Sequence, residues 1–241
     1  MLGQFLELAL ATSDIAASVG FYERLGYQQL PCTDSWPHAY CALSDGQCVI
    51  GLHQRATPTA ALCFVRTGVA RHYASLPAAG FTVLEAQLGD DQFHRVLLQG
   101  PGHCEVELLE ARTHSPAEIR ADSSPCGGLL AWSLPAVDAG AAAALWERAG
   151  LVAFPETDLP WPHRPLTADG LNLALHRPAL LPQPALVYAA PDLTQVIGTL
   201  QARGLEAVAW TTPQVPGLRG ALLRAPEGTA LLVLADAGAT V

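Results

Sequence analysis

The chain has 241 residues, half of them hydrophobic, and a formal net charge of −9. That is enough apolar material for one large core or two ordinary ones, and the acidic balance argues against a nucleic-acid backbone or an anionic membrane surface as partner. All thirteen basic residues are Arg, so a Schiff-base lysine and a phosphate-loop lysine are excluded.

Met1 to Thr12 is apolar but carries Glu7 and has no basic flank. It is expected to be a strand of the folded protein and not a signal peptide. No run approaches the roughly 18 uninterrupted apolar residues of a membrane span. Cys32, Cys41, Cys48, Cys63, Cys104 and Cys126 form no CxxC pair. They are expected to be reduced thiols of a cytoplasmic protein, behaving as small hydrophobes.

Phe5 to Ala11 alternates and predicts a strand. Ser13 or Asp14 can cap the segment that follows, in which Ile15, Val19, Phe21, Tyr22 and Leu25 recur at helical spacing and Gly26 supplies the stop. Strands are predicted at Tyr27 to Cys32, His38 to Leu43 and Cys48 to His53, the last two joined by Ser44-Asp45-Gly46-Gln47. The first unit is therefore β-α-β-β-β. A second unit runs through a strand at Ala60 to Arg66, a helix at Val69 to Ala79, and strands at Phe81 to Ala86, Phe93 to Leu98 and Cys104 to Leu109.

Ala111 to Gly128 is rich in Ser, Pro, Asp and Glu and is the best linker candidate, with a helical turn conceivable at Pro116 to Arg120. A third unit opens with a strand at Leu129 to Leu134 and a helix at Val137 to Ala149. A fourth has a strand at Ala185 to Ala189, a helix from about Leu193 to Ala202, and last strands at Ala221 to Arg224 and Ala230 to Leu234.

The halves repeat each other. Phe21-Tyr22-Glu23-Arg24-Leu25-Gly26 matches Leu145-Trp146-Glu147-Arg148-Ala149-Gly150. Thr33-Asp34 followed by Trp36-Pro37-His38 matches Thr157-Asp158 followed by Trp161-Pro162-His163, and Asp45-Gly46 leading to His53 matches Asp169-Gly170 leading to His176. The offset stays between 123 and 125 residues, the mark of a duplication with few insertions.

Four β-α-β-β-β units, with Asp14 before the helix and Phe21 to Tyr27 closing it, resemble the vicinal oxygen chelate superfamily, which includes glyoxalase I, extradiol dioxygenases and bleomycin-resistance proteins. The resemblance spans nearly the whole chain. It implies an α+β fold of two tandem glyoxalase-like half-barrel domains, residues 1–113 and 128–241, with residues 114–127 between them. In such folds paired units curl their sheets into a half-open barrel whose cavity holds the ligand. Whether unit one pairs with unit two or with unit four is left open.

The resemblance also implies metal-ligand slots, one on each unit's first strand and others on last strands. The first-strand slots fall on Glu7, near Ala61, on Ala131 and near Ala185. The last-strand slots fall on Gly51 in unit one, on Glu107 in unit two with Glu105 as a rival, and near Leu232 in unit four. Three or four protein ligands, commonly with His, are usual for a transition metal. The expectation is therefore no cofactor; a divalent metal, if one is held, belongs to Glu7 and Glu107.

Glu7 and Glu107 should face one cavity, where two carboxylates push each other's pKa apart and can serve as a general acid or base. The bland alternative pairs one of them with an Arg such as Arg95. Trp36 and Trp161 offer flat walls to a planar ligand, and His38 and His163 offer a polar contact or proton relay; the alternative is packing for the Trp and solvent for the His. Trp210 is expected to line or plug the second cavity, after a strand. Trp132 and Trp146 are expected to be core, His53 and His176 surface residues, and Cys63 core.

Three functions compete. The first is a metal-free small-molecule binding protein, monomer or homodimer, with Trp36, His38, Trp161, His163 and Trp210 as ligand contacts. The second is a lyase, isomerase or dioxygenase centred on Glu7 and Glu107. The third is a scaffold whose second domain supports the first.

Overall fold

A computed structural model describes residues 2–32, 36–56, 59–111 and 124–235. The expected turn at Pro116 to Arg120, most of the linker and the Thr33-Asp34 half of the repeated motif lie outside them.

The first unit contains β1 (Gln4–Thr12), α1 (Ile15–Arg24), β2 (Gln28–Gln29), β3 (Tyr40–Ser44) and β4 (Val49–Gln54). The second contains β5 (Ala60–Arg66), α2 (Val69–Tyr73), β6 (Thr82–Gln87), β7 (Arg95–Gln99) and β8 (Glu105–Glu110). The third contains β9 (Gly128–Pro135), α3 (Ala139–Ala149), β10 (Val152–Ala153), β11 (Arg164–Ala168) and β12 (Leu171–His176). The fourth contains β13 (Ala185–Ala190), α4 (Leu193–Ala202), β14 (Val208–Thr211), β15 (Arg219–Arg224) and β16 (Ala230–Ala235).

These form two eight-stranded mixed sheets, β2-β3-β4-β1-β5-β8-β7-β6 and β10-β11-β12-β9-β13-β16-β15-β14. The order answers the pairing question: β1 runs antiparallel to β5 and β9 to β13, so unit one pairs with unit two and unit three with unit four. Within each unit the first and last strands are parallel neighbours. The α+β architecture of two tandem domains is the one the resemblance implies.

The helix starts are repeated chemistry. Asp14, Asp138 and Asp192 each accept from the backbone N–H three residues on, at 3.0, 2.8 and 2.9 Å, satisfying a donor the first turn leaves free. Of the two expected caps, Asp14 and not Ser13 does the work. α3 consequently starts two residues later than predicted, and Val137 is left 94% exposed. α2 is also shorter than predicted. Its N-cap, Gly68, has no side chain to offer, and the Glu110 carboxylate accepts from the Gly68 and Val69 N–H groups instead, at 2.6 and 2.7 Å. The predicted remainder continues as turns toward Pro77, which has no N–H to donate. Trp210 lies within β14, not after a strand.

Strand alternation divides each sheet into two faces. Outer-face residues such as Leu8, Leu10, Ile50, Leu62, Phe64 and Val106 join Trp132, Trp146, Leu173, Tyr188 and Val233 in one apolar cluster that runs through both domains. Trp132 and Trp146 are core, as expected. Polar locks cross the same boundary: Glu227 accepts from Ser18 Oγ at 2.8 Å and from the Tyr22 hydroxyl at 2.6 Å, and the Tyr27 and Tyr188 hydroxyls meet at 2.6 Å. With the outer faces joined, the inner faces are the surfaces left to form cavities. No described helix is long and apolar enough to cross a membrane.

Candidate functional site

The inner face of the first sheet borders an open cavity of about 1420 Å³, lined in part by Glu7, Trp36, His38, Tyr40, Arg55 and Arg95. β1, β5 and β8 run side by side with Glu7, Cys63 and Glu107 in register. At a strand spacing of about 4.8 Å, this puts the two glutamates on one face roughly 10 Å apart. Each is only 1% exposed. Their surroundings differ.

Glu7 is held by Tyr40 and His53. Its Oε2 accepts from the Tyr40 hydroxyl at 2.5 Å and its Oε1 meets His53 Nε2 at 3.0 Å. Burial, with the Glu7 charge beside it, pushes the Tyr40 hydroxyl far above its ordinary range, so it stays a donor. A carboxylate only accepts, so a neutral His53 carries its proton on Nε2 and accepts at Nδ1. His38 Nε2 lies 2.9 Å from that Nδ1, and in this tautomer it is the donor. The result is a chain, Glu7 to His53 to His38, that runs from the buried sheet to the cavity.

Gly51 makes room for it. A Cβ at Gly51 would lie 2.2 Å from the Glu7 carboxylate. The last-strand slot of unit one is thus filled from β1, by the side chain of its neighbour. His53, two residues further on, shares that face, and at 1% exposure it is no surface residue. His176 is likewise buried, so the expectation of surface histidines is corrected for both. The physical reason is a partner: each imidazole finds hydrogen-bonding groups at both nitrogens, which removes the cost of burying it. The period-two spacing from Gly51 to His53 and from His38 to Tyr40 was the available sign, but the partners come from other strands.

Glu107 is held by cations. Arg95 Nε donates to its Oε1, with Arg55 Nη2 4.0 Å from the same atom. Arg95 also reaches Glu85 Oε2 at 3.1 Å. Cys63, between the two glutamates, is fully buried, and burial followed by the Glu107 and Glu7 charges pushes its thiol well above the usual range. It is core and not a nucleophile.

Trp36 stands at the cavity edge. Its ring packs edge-on to His53 at 4.8 Å between centroids and lies 5.6 and 5.7 Å from His38 and Tyr40. Its duplicate, Trp161, is 3% exposed and stacks on His163 at 4.2 Å. Trp161 belongs to an apolar cluster with Ala131, Ala174, Val187, Leu232 and Leu234, against which Trp210 packs. What remains of the second cavity is about 10 Å³, room for one water at most. The structure thus brings Glu7, Trp36 and His38 to one open cavity, with Glu107 buried on the same sheet face, and Trp161 and Trp210 to a filled one, with His163 stacked on Trp161.

A divalent metal requires donors that are free to turn toward it. Here both Glu7 oxygens are engaged by Tyr40 and His53, and Glu107 is engaged by two guanidinium groups whose charge opposes a cation. Among the described residues, no three His, Cys, Asp or Glu side chains are placed to hold a metal ion. The side chains present do not fit the group that the fold's metalloenzymes carry.

No protein-family model and no curated protein matches the chain. Solved structures do. A variant of homoprotocatechuate 2,3-dioxygenase from Brevibacterium fuscum superposes with a TM-score of 0.62 at 14% identity, over 96% of this chain and 71% of that one. A catechol 2,3-dioxygenase gives 0.53 at 14% identity, over 97% and 92%. At that identity the likeness concerns the fold alone: the chain shares the tandem two-domain fold of these dioxygenases.

Proposed function

We propose that this protein binds a small, flat organic molecule in the cavity of its first domain, without a catalytic metal. The observation that supports the reading most directly is the asymmetry between the half-barrels. The first leaves an open cavity with an aromatic edge at Trp36; the second is closed by its own Trp161. The open cavity has the ingredients of a small-molecule site: an apolar lining from Leu6, Val65, Leu109 and Ala111, and a few polar groups to orient the ligand. Arg55 lines the same cavity and has donors to offer an acceptor such as a carbonyl or nitro oxygen.

On this reading the second domain supports the first, and Trp161, His163 and Trp210 belong to its packing and not to ligand contact. The partner is a small molecule and neither nucleic acid nor membrane, the location is cytoplasmic, and the protein works as monomer or homodimer. The alternative, a metalloenzyme with Glu7 and Glu107 as ligands, must pull Glu107 off Arg95.

Phenylnitromethane, with a flat ring and two acceptor oxygens, is a suitable probe. Calorimetric titration in the presence of EDTA is expected to show one site, weakened at least tenfold by Trp36→Ala and unaffected by Trp210→Ala. Binding that requires an added divalent ion, or that is lost with Trp210 and not with Trp36, would overturn the reading.

A further inference from the structure

We infer that the Glu7–His53–His38 chain is a proton relay that makes His38 a general base facing the cavity, so that the first domain abstracts protons from carbon acids without a metal. The inference rests on the cavity being a ligand site, and it goes beyond binding.

The chain has a direction. Both Glu7 oxygens accept, from Tyr40 and from His53. That puts a proton of His53 on Nε2, and with the imidazole neutral Nδ1 is left to accept from His38 Nε2. One nitrogen is then undetermined by the protein, His38 Nδ1, which has no partner among the described residues and carries a lone pair. His38 is only partly buried and lines the cavity beside Trp36. The groups that act on it besides His53 are Arg55, Arg95 and Glu107, with burial the largest influence, and their balance favours the neutral imidazole. A neutral imidazole with an open nitrogen is the form a base requires.

The step balances on this chain's own groups. His38 Nδ1 takes a proton from a carbon next to a carbonyl or nitro group. The C–H bond breaks, its electron pair moves onto the oxygens of that group, and an Nδ1–H bond forms. The positive charge is shared through Nε2–H with His53 and offset by Glu7, which does not itself need to be protonated. Arg55 is available to donate to the oxygen that gains charge. Return of the proton to water, or to a different carbon of the bound molecule, completes exchange or isomerisation. His38 is the catalytic residue; His53 and Glu7 position it.

The second domain shows what the same histidine does without this chain. His176 Nδ1 meets Ser133 Oγ at 2.6 Å and its Nε2 meets the Leu181 carbonyl at 2.8 Å. Both nitrogens are spent inside the core, and Ala131 stands where Glu7 would be. There His163 stacks on Trp161, and its Nδ1 is bonded to the Trp161 carbonyl at 2.7 Å.

Phenylnitromethane also tests the relay, because its deprotonation at carbon is slow and the nitronate absorbs in the ultraviolet. The full-length protein is expected to speed deprotonation over the same concentration of free imidazole. His38→Gln should lower kcat about a hundredfold or more with binding retained. Glu7→Gln should lower it about tenfold or more, because the introduced amide can donate to His53 Nε2 and reverse both tautomers.

Nitrogen-15 NMR of the imidazoles reads that reversal without any ligand. His38 Nδ1 is expected to be unprotonated in the native protein and protonated after Glu7→Gln, and Glu7→Asp should restore the native pattern in part. A native His38 that carries its proton on Nδ1, or a bound probe deprotonated no faster than by imidazole, overturns the inference. A probe that does not bind, with the native tautomers as stated, overturns the ligand class proposed above and supports the relay.

Discussion

The two half-barrels descend from one repeat and have diverged in what they do with the same side chains. Each retains Trp-Pro-His before its third strand and a His at the end of its fourth. In the first, Glu7 and Gly51 stand where the second has Ala131 and Ala174, and Ala9 stands where it has Ser133. A glutamate with room beside it organises His53 outward, toward the cavity. A serine and a backbone carbonyl organise His176 inward, and Trp161 closes over it. The lesson is that burying an imidazole does not determine its role. What matters is whether its partners leave a nitrogen, on it or on its neighbour, pointing at open space.

The largest expected difference between the halves is in stability. Trp161→Ala removes a buried indole from a packed barrel and should cost about 3–5 kcal/mol, measured by urea unfolding. Trp36→Ala, at a cavity edge, should cost under ~2 kcal/mol by the same measurement. Equal costs would break the distinction between a filled barrel and an open one.

Gly51→Ala probes the next difference. The added methyl meets the Glu7 carboxylate at a distance no Cβ tolerates, and the expected penalty is about 1–3 kcal/mol, with His38 and His53 tautomers disturbed by NMR. The matched position already holds Ala174, fully buried. If Gly51→Ala is neutral and the tautomers persist, the space beside Glu7 is not what holds the relay.

The smallest effect is a pH slope. Burial lowers the pKa of His176 and His163, the Leu181 and Trp161 carbonyls acting in the opposite direction. The unfolded chain, with His near 6.5, binds protons that the folded form does not. Stability is therefore fully present above about pH 6.5, falls as pH drops through the window down to the lowered native pKa values, and then levels. His176→Gln should flatten this slope, read as the change in urea midpoint between pH 7.5 and 5.5. A steeper slope after the substitution would reverse the assignment.

Much of this was legible in the order of residues. Local chemistry marks the helices: an Asp cap, apolar positions at helical spacing, and a Gly stop such as Gly26, whose backbone lies in the left-handed region. Duplication carries the same reading into the second half. Glu7 and Glu107 were also placeable, because strand alternation assigns each to a face. The length of α2 is not legible locally because the actual cap, Glu110, lies 42 residues from Gly68 and 41 from Val69. His53 was misread because its partners, Glu7 and His38, come from β1 and from the loop before β3.

The residue pattern alone determined the strands, the helices, their fourfold recurrence and which side chains share a face, since these follow from spacing and nearest neighbours along the chain. Which units pair, which barrel stays open, and whether a buried His is a dead end or part of a relay were decided by the tertiary structure. Those outcomes depend on side chains from non-adjacent strands competing for the same few cubic ångströms, as Glu7 does for the space above Gly51.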